Sequence, residues 1–302
     1  MSVRVTALAA AVLGVPLFAA AADVAVLKST DTPAWRPALD ALKRAASAHA
    51  LTEYDLRNEK AEADRVVASL KGKAAVIVAL GPLAAQAAHE GAPEIPLVFC
   101  MVQDPARLGL TGAPNATGVS FQIPIKNQLA AFRLVNPRAV RIGAIYSEAN
   151  TGAQIAEAVK AAAVVRLNLI ARAVASERDV PEALRGLLKG AEAMDALWIP
   201  PDPILLGDES RRYIFAETLK AGKPVYSFSA ALVAEGALAS NGPDMGSIGD
   251  QAGELVNRLA AGEKGKIEML VPRAELVVNK KIADKLKIEI TVDALKAAGK
   301  VF

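Results

Sequence analysis

Cysteine, histidine and aromatic side chains are all scarce in this chain, and each shortage removes a class of chemistry. Cys100 is the single cysteine, so no intramolecular disulfide can form. It lies inside LVFCMV, where a thiol is expected to serve as a small buried hydrophobe. His49 and His89 are the only histidines, far apart and without a cysteine or carboxylate at ligand spacing. No zinc pattern and no Ser-His-Asp or Cys-His arrangement results, so no catalytic or metal residues are expected and the chain is not read as an enzyme. Gly81 lacks the companion glycines and lysine of a phosphate loop, so no nucleotide and no other cofactor is expected. Charge of one sign is lacking as well. The 35 Lys and Arg face 32 Asp and Glu and are scattered rather than gathered into a basic stripe, which argues against a nucleic-acid partner.

Long apolar runs are confined to the N-terminus. Arg4 is the only charge before Asp23, Val5 to Phe18 is almost wholly apolar, and small residues follow from Ala19 to Ala22. This is the pattern of a cleavable secretory signal peptide over residues 1–22, with cleavage after Ala21 or Ala22. No cysteine stands at the cleavage site, so no lipid anchor is expected, and no later stretch reaches the ~18 apolar residues of a membrane span. The mature protein is expected in the periplasm, as a monomer.

What is present is alternation. Composition is 53% hydrophobic but only 4% aromatic, and alanine is abundant, which suits helices packed closely on a parallel sheet. Short apolar runs such as Ala75 to Leu80, Leu97 to Val102, Arg141 to Tyr146 and Ala196 to Ile199 read as buried strands, with helical patterns between them. The β-α order predicts an α/β fold of parallel sheets flanked by helices. About 280 residues remain after the leader, enough for two lobes with separate cores. The turn-rich segment 109–115 interrupts the rhythm, a first crossing between lobes falls near Ser120 to Pro124, and the tail is expected to cross back twice. Three crossings make a hinge that opens and closes but resists sliding. Lobe 1 is read as 23–121 plus about 242–270, and lobe 2 as 122–241 plus about 271–302.

Ligands of open α/β sheets bind at the carboxyl ends of strands, so the residues just beyond those ends are the candidates. Gln103 and Asp104 end one strand. Asp104 either pairs with a ligand ammonium or shapes the turn before Pro105. Asp202, between Pro201 and Pro203, presents the same choice from the other lobe. Ser147, Asn150 and Thr151 open a helix. Thr151 and Gln154 match a capping box and Asn150 is also able to cap; the functional alternative is a helix N-terminus receiving a ligand carboxylate. Ser227 and Phe228 close another strand, with Ser229 beyond. Trp35 lies in the first turn of the first helix, after the expected cap Thr32 and Pro33, and either packs under a loop or stacks on a planar ligand. Asn241-Gly242-Pro243-Asp244 reads as hinge or turn chemistry.

Six segments in this order, VALGPLAAQAA, IPLVFCMVQDP, NATGVSF, ALWIPPDPILL, KPVYSFSAALVAEGALASNGPD and ELVVNKKIADKLKI, resemble the ABC-transporter substrate-binding proteins related to tryptophan and tyrosine uptake proteins. The resemblance runs from Asp23 to about Leu295. It implies a two-lobed periplasmic-binding-protein fold of type I with three hinge strands, a small organic ligand such as an amino acid between the lobes, and delivery to an ABC permease in the inner membrane. It places Gly81 at the ligand wall. Pro82 follows where relatives commonly carry Thr or Ser, and Thr32-Pro33 stands where many have His-Pro. The same cleft would also serve a sensor reporting to a membrane signalling protein. A sugar-type repressor is excluded, because a leader occupies the place of its DNA-binding helices.

Overall fold

The computed structural model describes residues 21–190, 193–263, 265 and 267–302. The leader expected over residues 1–22 therefore lies outside the described residues, apart from Ala21 and Ala22. The chain begins with strands β1 (Asp23–Lys28), β2 (Ala50–Asp55), β3 (Val76–Leu80), β4 (Leu97–Cys100) and β5 (Ala116–Gly118). Helices α1 (Arg36–Ala45), α2 (Lys60–Leu70) and α3 (Pro82–Gly91) connect the first four. Helix α4 (Ile125–Val135) opens a second block with strands β6 (Arg141–Tyr146), β7 (Asn168–Ala173), β8 (Ala196–Ile199) and β9 (Val225–Ser227). Helices α5 (Glu148–Val164), α6 (Val180–Leu188), α7 (Pro203–Leu206) and α8 (Asp208–Lys220) run between those strands. The tail adds α9 (Ala230–Glu235), β10 (Ala239–Pro243), α10 (Met245–Ala260), β11 (Ala274–Val278), α11 (Lys280–Leu286), α12 (Val292–Ala297) and β12 (Ala298–Val301).

Two sheets result. The first, in the order β2-β1-β3-β4-β5, is wholly parallel. The second, β12-β11-β10-β9-β8-β6-β7, is parallel except where β10 meets β11. The expected α/β class with helix-flanked parallel sheets is what the chain forms. β3 shows why its apolar run is continuous. Val76, Val78 and Leu80 face α1 and α10, while Ile77 and Ala79 face α2 and α3, so both faces are dry. The second sheet is likewise covered on both faces, by α4, α5 and α12 on one side and by α6, α8 and α9 on the other.

The chain passes between the sheets three times. It leaves β5 of the first sheet for α4 through residues 119–124. From β10, in the second sheet, it returns at Asp244 to α10, which packs on α1 and the first sheet. It then crosses again through residues 271–273 to β11. These passages are stitched together. The Ser120 N–H donates to the Leu270 carbonyl at 2.8 Å, the Leu270 N–H to Gly118 at 2.9 Å, and the Asp244 N–H to Arg273 at 2.9 Å.

Several local expectations are corrected. The helix expected from Thr151 begins at Glu148 with Ser147 at its N-cap, so the Thr151–Gln154 pair lies inside the helix and forms no capping box. Thr32 holds the N-cap position before a short 3-10 turn, Pro33–Trp35, but its side chain makes no capping bond. β2, α7, α9, α12 and β12 carried no recognised sequence signal. β2 is an edge strand, ALTEYD, largely exposed and without an apolar stripe. No helix among the described residues is long and apolar enough to cross a membrane.

Candidate functional site

The strand ends of the two sheets and the crossings enclose a cavity of about 310 Å³. The first sheet contributes Ala34, Trp35 and Gln103, and the first crossing adds Phe121, Gln122 and Ile123. Opposite stand Gln128 on α4, Gln154 on α5, Pro201 beyond β8 and Phe228 to Ala231 beyond β9. Ser240 to Pro243 on β10, Met245 on α10, and Glu275 and Val277 on β11 complete the lining. Of the ten residues singled out from the sequence, Trp35, Gln103 and Phe228 line this space.

Gly81 supports that wall from beneath. Its φ of +90° suits glycine, and a Cβ there would stand 2.7 Å from both Ser29 Oγ and Trp35 Cη2. Ser29 Oγ is held because it accepts the Ala84 N–H at 3.0 Å. It thereby does for the first turn of α3 what Gly81, as N-cap without a side chain, cannot. Pro82 occupies the first helical position, where a missing N–H costs nothing. The loop at Gly81 is closed by Ser29 and roofed by the indole of Trp35.

Asp202 gathers three other candidates, away from the cavity lining. Its Oδ2 accepts the Ser147 N–H at 2.7 Å, the Ser147 hydroxyl at 2.7 Å and the Thr151 hydroxyl at 2.6 Å; Oδ1 accepts the Ile204 N–H at 3.0 Å. Asn150 Nδ2 donates to Ser147 Oγ at 2.7 Å. Asp202 is wholly buried. A buried carboxylate with four donors from its own chain is satisfied, and it pins the end of β8 to the start of α5. Asp104 is exposed and accepts the Arg107 N–H at 3.1 Å, closing the turn that begins at Pro105. Ser227 is buried, and its hydroxyl donates to the Ser229 carbonyl at 3.0 Å. This bond shapes the bend that presents Phe228.

The polar groups that do line the cavity are chiefly amides. Gln122 Nε2 donates to the Gln103 carbonyl at 2.8 Å, Gln128 Nε2 to Ile123 at 2.8 Å and Asn241 Nδ2 to Asn127 at 3.2 Å. Gln128 Oε1 and Ser240 Oγ are buried without a partner among the described residues. Sequence reasoning missed Gln122, Gln128, Gln154, Ser240, Asn241 and Glu275 as lining. The nearest signals were the crossing at Ser120 to Pro124 and the turn-like Asn241-Gly242, both read as hinge rather than wall. No cluster of three or more His, Cys, Asp or Glu is placed to hold a metal among the described residues. Burial pushes the Cys100 thiol up to about 12, so it is no nucleophile at neutral pH.

Known proteins agree with this architecture. A tyrosine-binding protein of Clostridioides difficile (strain R20291) is 26% identical over 232 residues, covering 73% of this chain and 66% of that protein, just under two thirds of its length. The ABC domain from Streptococcus pneumoniae in complex with L-Trp is 22% identical, with a TM-score of 0.67 over 93% of this chain and 100% of that one. The ligand-free, open structure of a substrate binding protein with adhesive properties from Clostridium difficile is 19% identical. Its TM-score is 0.82 over 93% of this chain and 99% of that one. At such identities the two structures speak to the fold, the type I periplasmic-binding-protein arrangement. Residues 23–302, the whole span of both sheets and all three crossings, match the family model for ABC transporter substrate binding proteins, and the chain belongs to that family of binding proteins rather than enzymes.

Proposed function

We propose that this protein is the exported solute receptor of an ABC-type uptake system. In this reading it captures a small organic solute, an amino acid or a related compound, by closing two lobes around the cavity. The observation that carries it is a cavity of about 310 Å³ whose walls come from both sheets and from the segments that join them. That size is at the lower end of the roughly 300–1,000 Å³ of small-molecule sites, suited to one amino-acid-sized solute. The tyrosine-binding relative and the L-Trp complex support the same ligand class.

The lobes are taken as 23–121 with about 242–270, and 122–241 with about 271–302. The signal peptide over residues 1–22 would deliver a monomeric mature chain to the periplasm, where an ABC permease in the inner membrane is its partner. Trp35, Gln103 and Phe228 are proposed as direct ligand contacts, with Gly81 positioning Trp35. Asp104, Ser147, Asn150, Thr151, Asp202 and Ser227 shape the loops that carry the walls.

A thermal-shift screen of the mature protein against amino acids, their amines and small aromatic acids tests the reading. A true ligand at a hundredfold its Kd raises stability by about 2.7 kcal/mol. No shift with any small organic solute sinks it. The N-terminus of protein recovered from the periplasm tests the export step, and an intact residue 1 would refute cleavage.

A further inference from the structure

Three of the cavity's side-chain amides are oriented by the backbone. The NH₂ groups of Gln122, Gln128 and Asn241 face the carbonyls of Gln103, Ile123 and Asn127. Turning any of them over would set oxygen against oxygen, so each amide oxygen points away from its carbonyl partner, while each NH₂ keeps a second N–H. Gln128 Oε1 is the most constrained, in a side chain 5% exposed and without a partner among the described residues.

The charges point the same way. Among the described residues, Glu275 is the one ionisable side chain lining the cavity, and no Lys, Arg or His joins it. It lies on β11 opposite Gly242 of β10, on the face shared with Val277 and Ser240. Backbone donors that would receive a carboxylate are largely taken. At the start of α10, Asp244 accepts the N–H groups of Gly246 and Ser247 at 2.9 and 3.3 Å. At α9, Ser229 Oγ accepts the Ala231 N–H at 3.2 Å. Beside Trp35, Pro33 has no N–H and the Trp35 N–H is tied to the Thr32 carbonyl at 3.1 Å, which leaves the Ala34 N–H in that turn. The apolar walls include the aromatic residues Trp35, Phe121 and Phe228 beside aliphatic ones such as Ile123, Met245 and Val277.

We propose that the solute is an aromatic amine: a flat apolar body bearing an ammonium or several N–H donors, with no carboxylate needed for recognition. The inference rests on the solute-receptor reading and narrows its ligand class. An ammonium finds Glu275, the amide oxygens and aromatic faces. A carboxylate would find no cation among the described lining residues to offset the cost of its desolvation.

The test is titration calorimetry of the mature protein with matched sets on one ring: tryptamine, tryptophan and indole-3-acetate; tyramine, tyrosine and 4-hydroxyphenylacetate; phenethylamine, phenylalanine and phenylacetate. An amine is expected to bind at least about tenfold tighter than its amino acid, with the acid silent, since a hydrogen bond to a charged group is worth that much. Glu275→Gln should remove about tenfold or more of the amine's affinity by the same measure, with the unliganded melting temperature as the control for folding. Amine binding untouched by Glu275→Gln overturns the role of Glu275. An amino acid or acid binding tighter than its amine overturns the inference and leaves the receptor reading standing. Silence of all nine overturns the inference as well; the receptor reading falls with it only if the wider thermal-shift screen is also silent.

Discussion

Asp202 and Asp104 look alike in sequence, an aspartate beside proline at the end of a strand, yet their surroundings give them different work. Asp202 is buried with four donors on its carboxylate. Replacing it by alanine strands buried N–H and O–H groups, and Asp202→Ala should cost roughly 3 kcal/mol or more in urea unfolding. Asp104 is exposed with one turn bond, so Asp104→Ala should stay within about 0.5 kcal/mol of the parent. Near-equal losses would refute this division. Asp195 supplies the pH dependence. Burial pushes its carboxyl up, but the Arg141 guanidinium at 2.9 Å and the N–H groups of Arg141 and Val140 outweigh it and hold it below the ordinary carboxylate range. A depressed native value contributes stability above the unfolded value of about 3.9, and that contribution is lost as pH falls through the native value. Asp195→Asn should therefore cost about 1–2 kcal/mol at pH 7, with the difference from the parent fading toward pH 3. A gap that persists in acid would show that packing, not charge, carries the effect.

At the scale of elements, the contact of α1 with α10 joins two segments some two hundred positions apart through small residues. A Cβ on Gly249 would collide with the Ala38 carbonyl and stand 2.7 Å from Ala41 Cβ, and one on Gly253 would collide with Ala45. Gly249→Ala should therefore destabilise by about 1–3 kcal/mol, the usual cost of overpacking. Gly186, inside α6, has nothing within 4 Å of a new Cβ. Gly186→Ala should stabilise by about 0.5–1 kcal/mol through helix propensity alone. Thermal melts of the two variants read both signs, and like signs would refute the argument. The sequence shows which helix is which but not this contact, because alanine and glycine carry no periodic signal. β2 was hidden for a related reason: backbone pairs it with β1, and only Leu51 and Tyr54 of its side chains pack partly on the core, too few to make an apolar stripe.

For the whole molecule, separate cores on each sheet and three crossings gathered at one place favour motion of the lobes as bodies. A bound solute should lower the radius of gyration in small-angle scattering, since the cavity is walled from both sides. The two tryptophans report separately: Trp35 lines the cavity, whereas Trp198 is wholly buried in the second core. In single-tryptophan variants, ligand should alter the emission of Trp35 and leave that of Trp198 unchanged. Scattering profiles unaltered by a saturating ligand would refute closure.

The cavity was only partly legible. Trp35, Gln103 and Phe228 follow strand ends, which the pattern marks. Gln128, Ser240 and Glu275 sit inside a helix and two strands, where their sequence neighbours look like ordinary element interiors. The sequence by itself determined the alternation of strand and helix, the buried parallel strands and the family, because burial on both faces demands continuous apolar runs and excludes most other patterns. Only the tertiary structure decided which polar groups line the cavity. Asp202 was drawn inward by donors from Ser147 and Thr151, more than fifty residues upstream, while Gln122 was turned by the Gln103 carbonyl beyond β4 and Gln128 by the Ile123 carbonyl of the first crossing. Hydrogen-bond partners brought together by the fold, from five to 114 residues away, set which atoms remain free, rather than residue type alone.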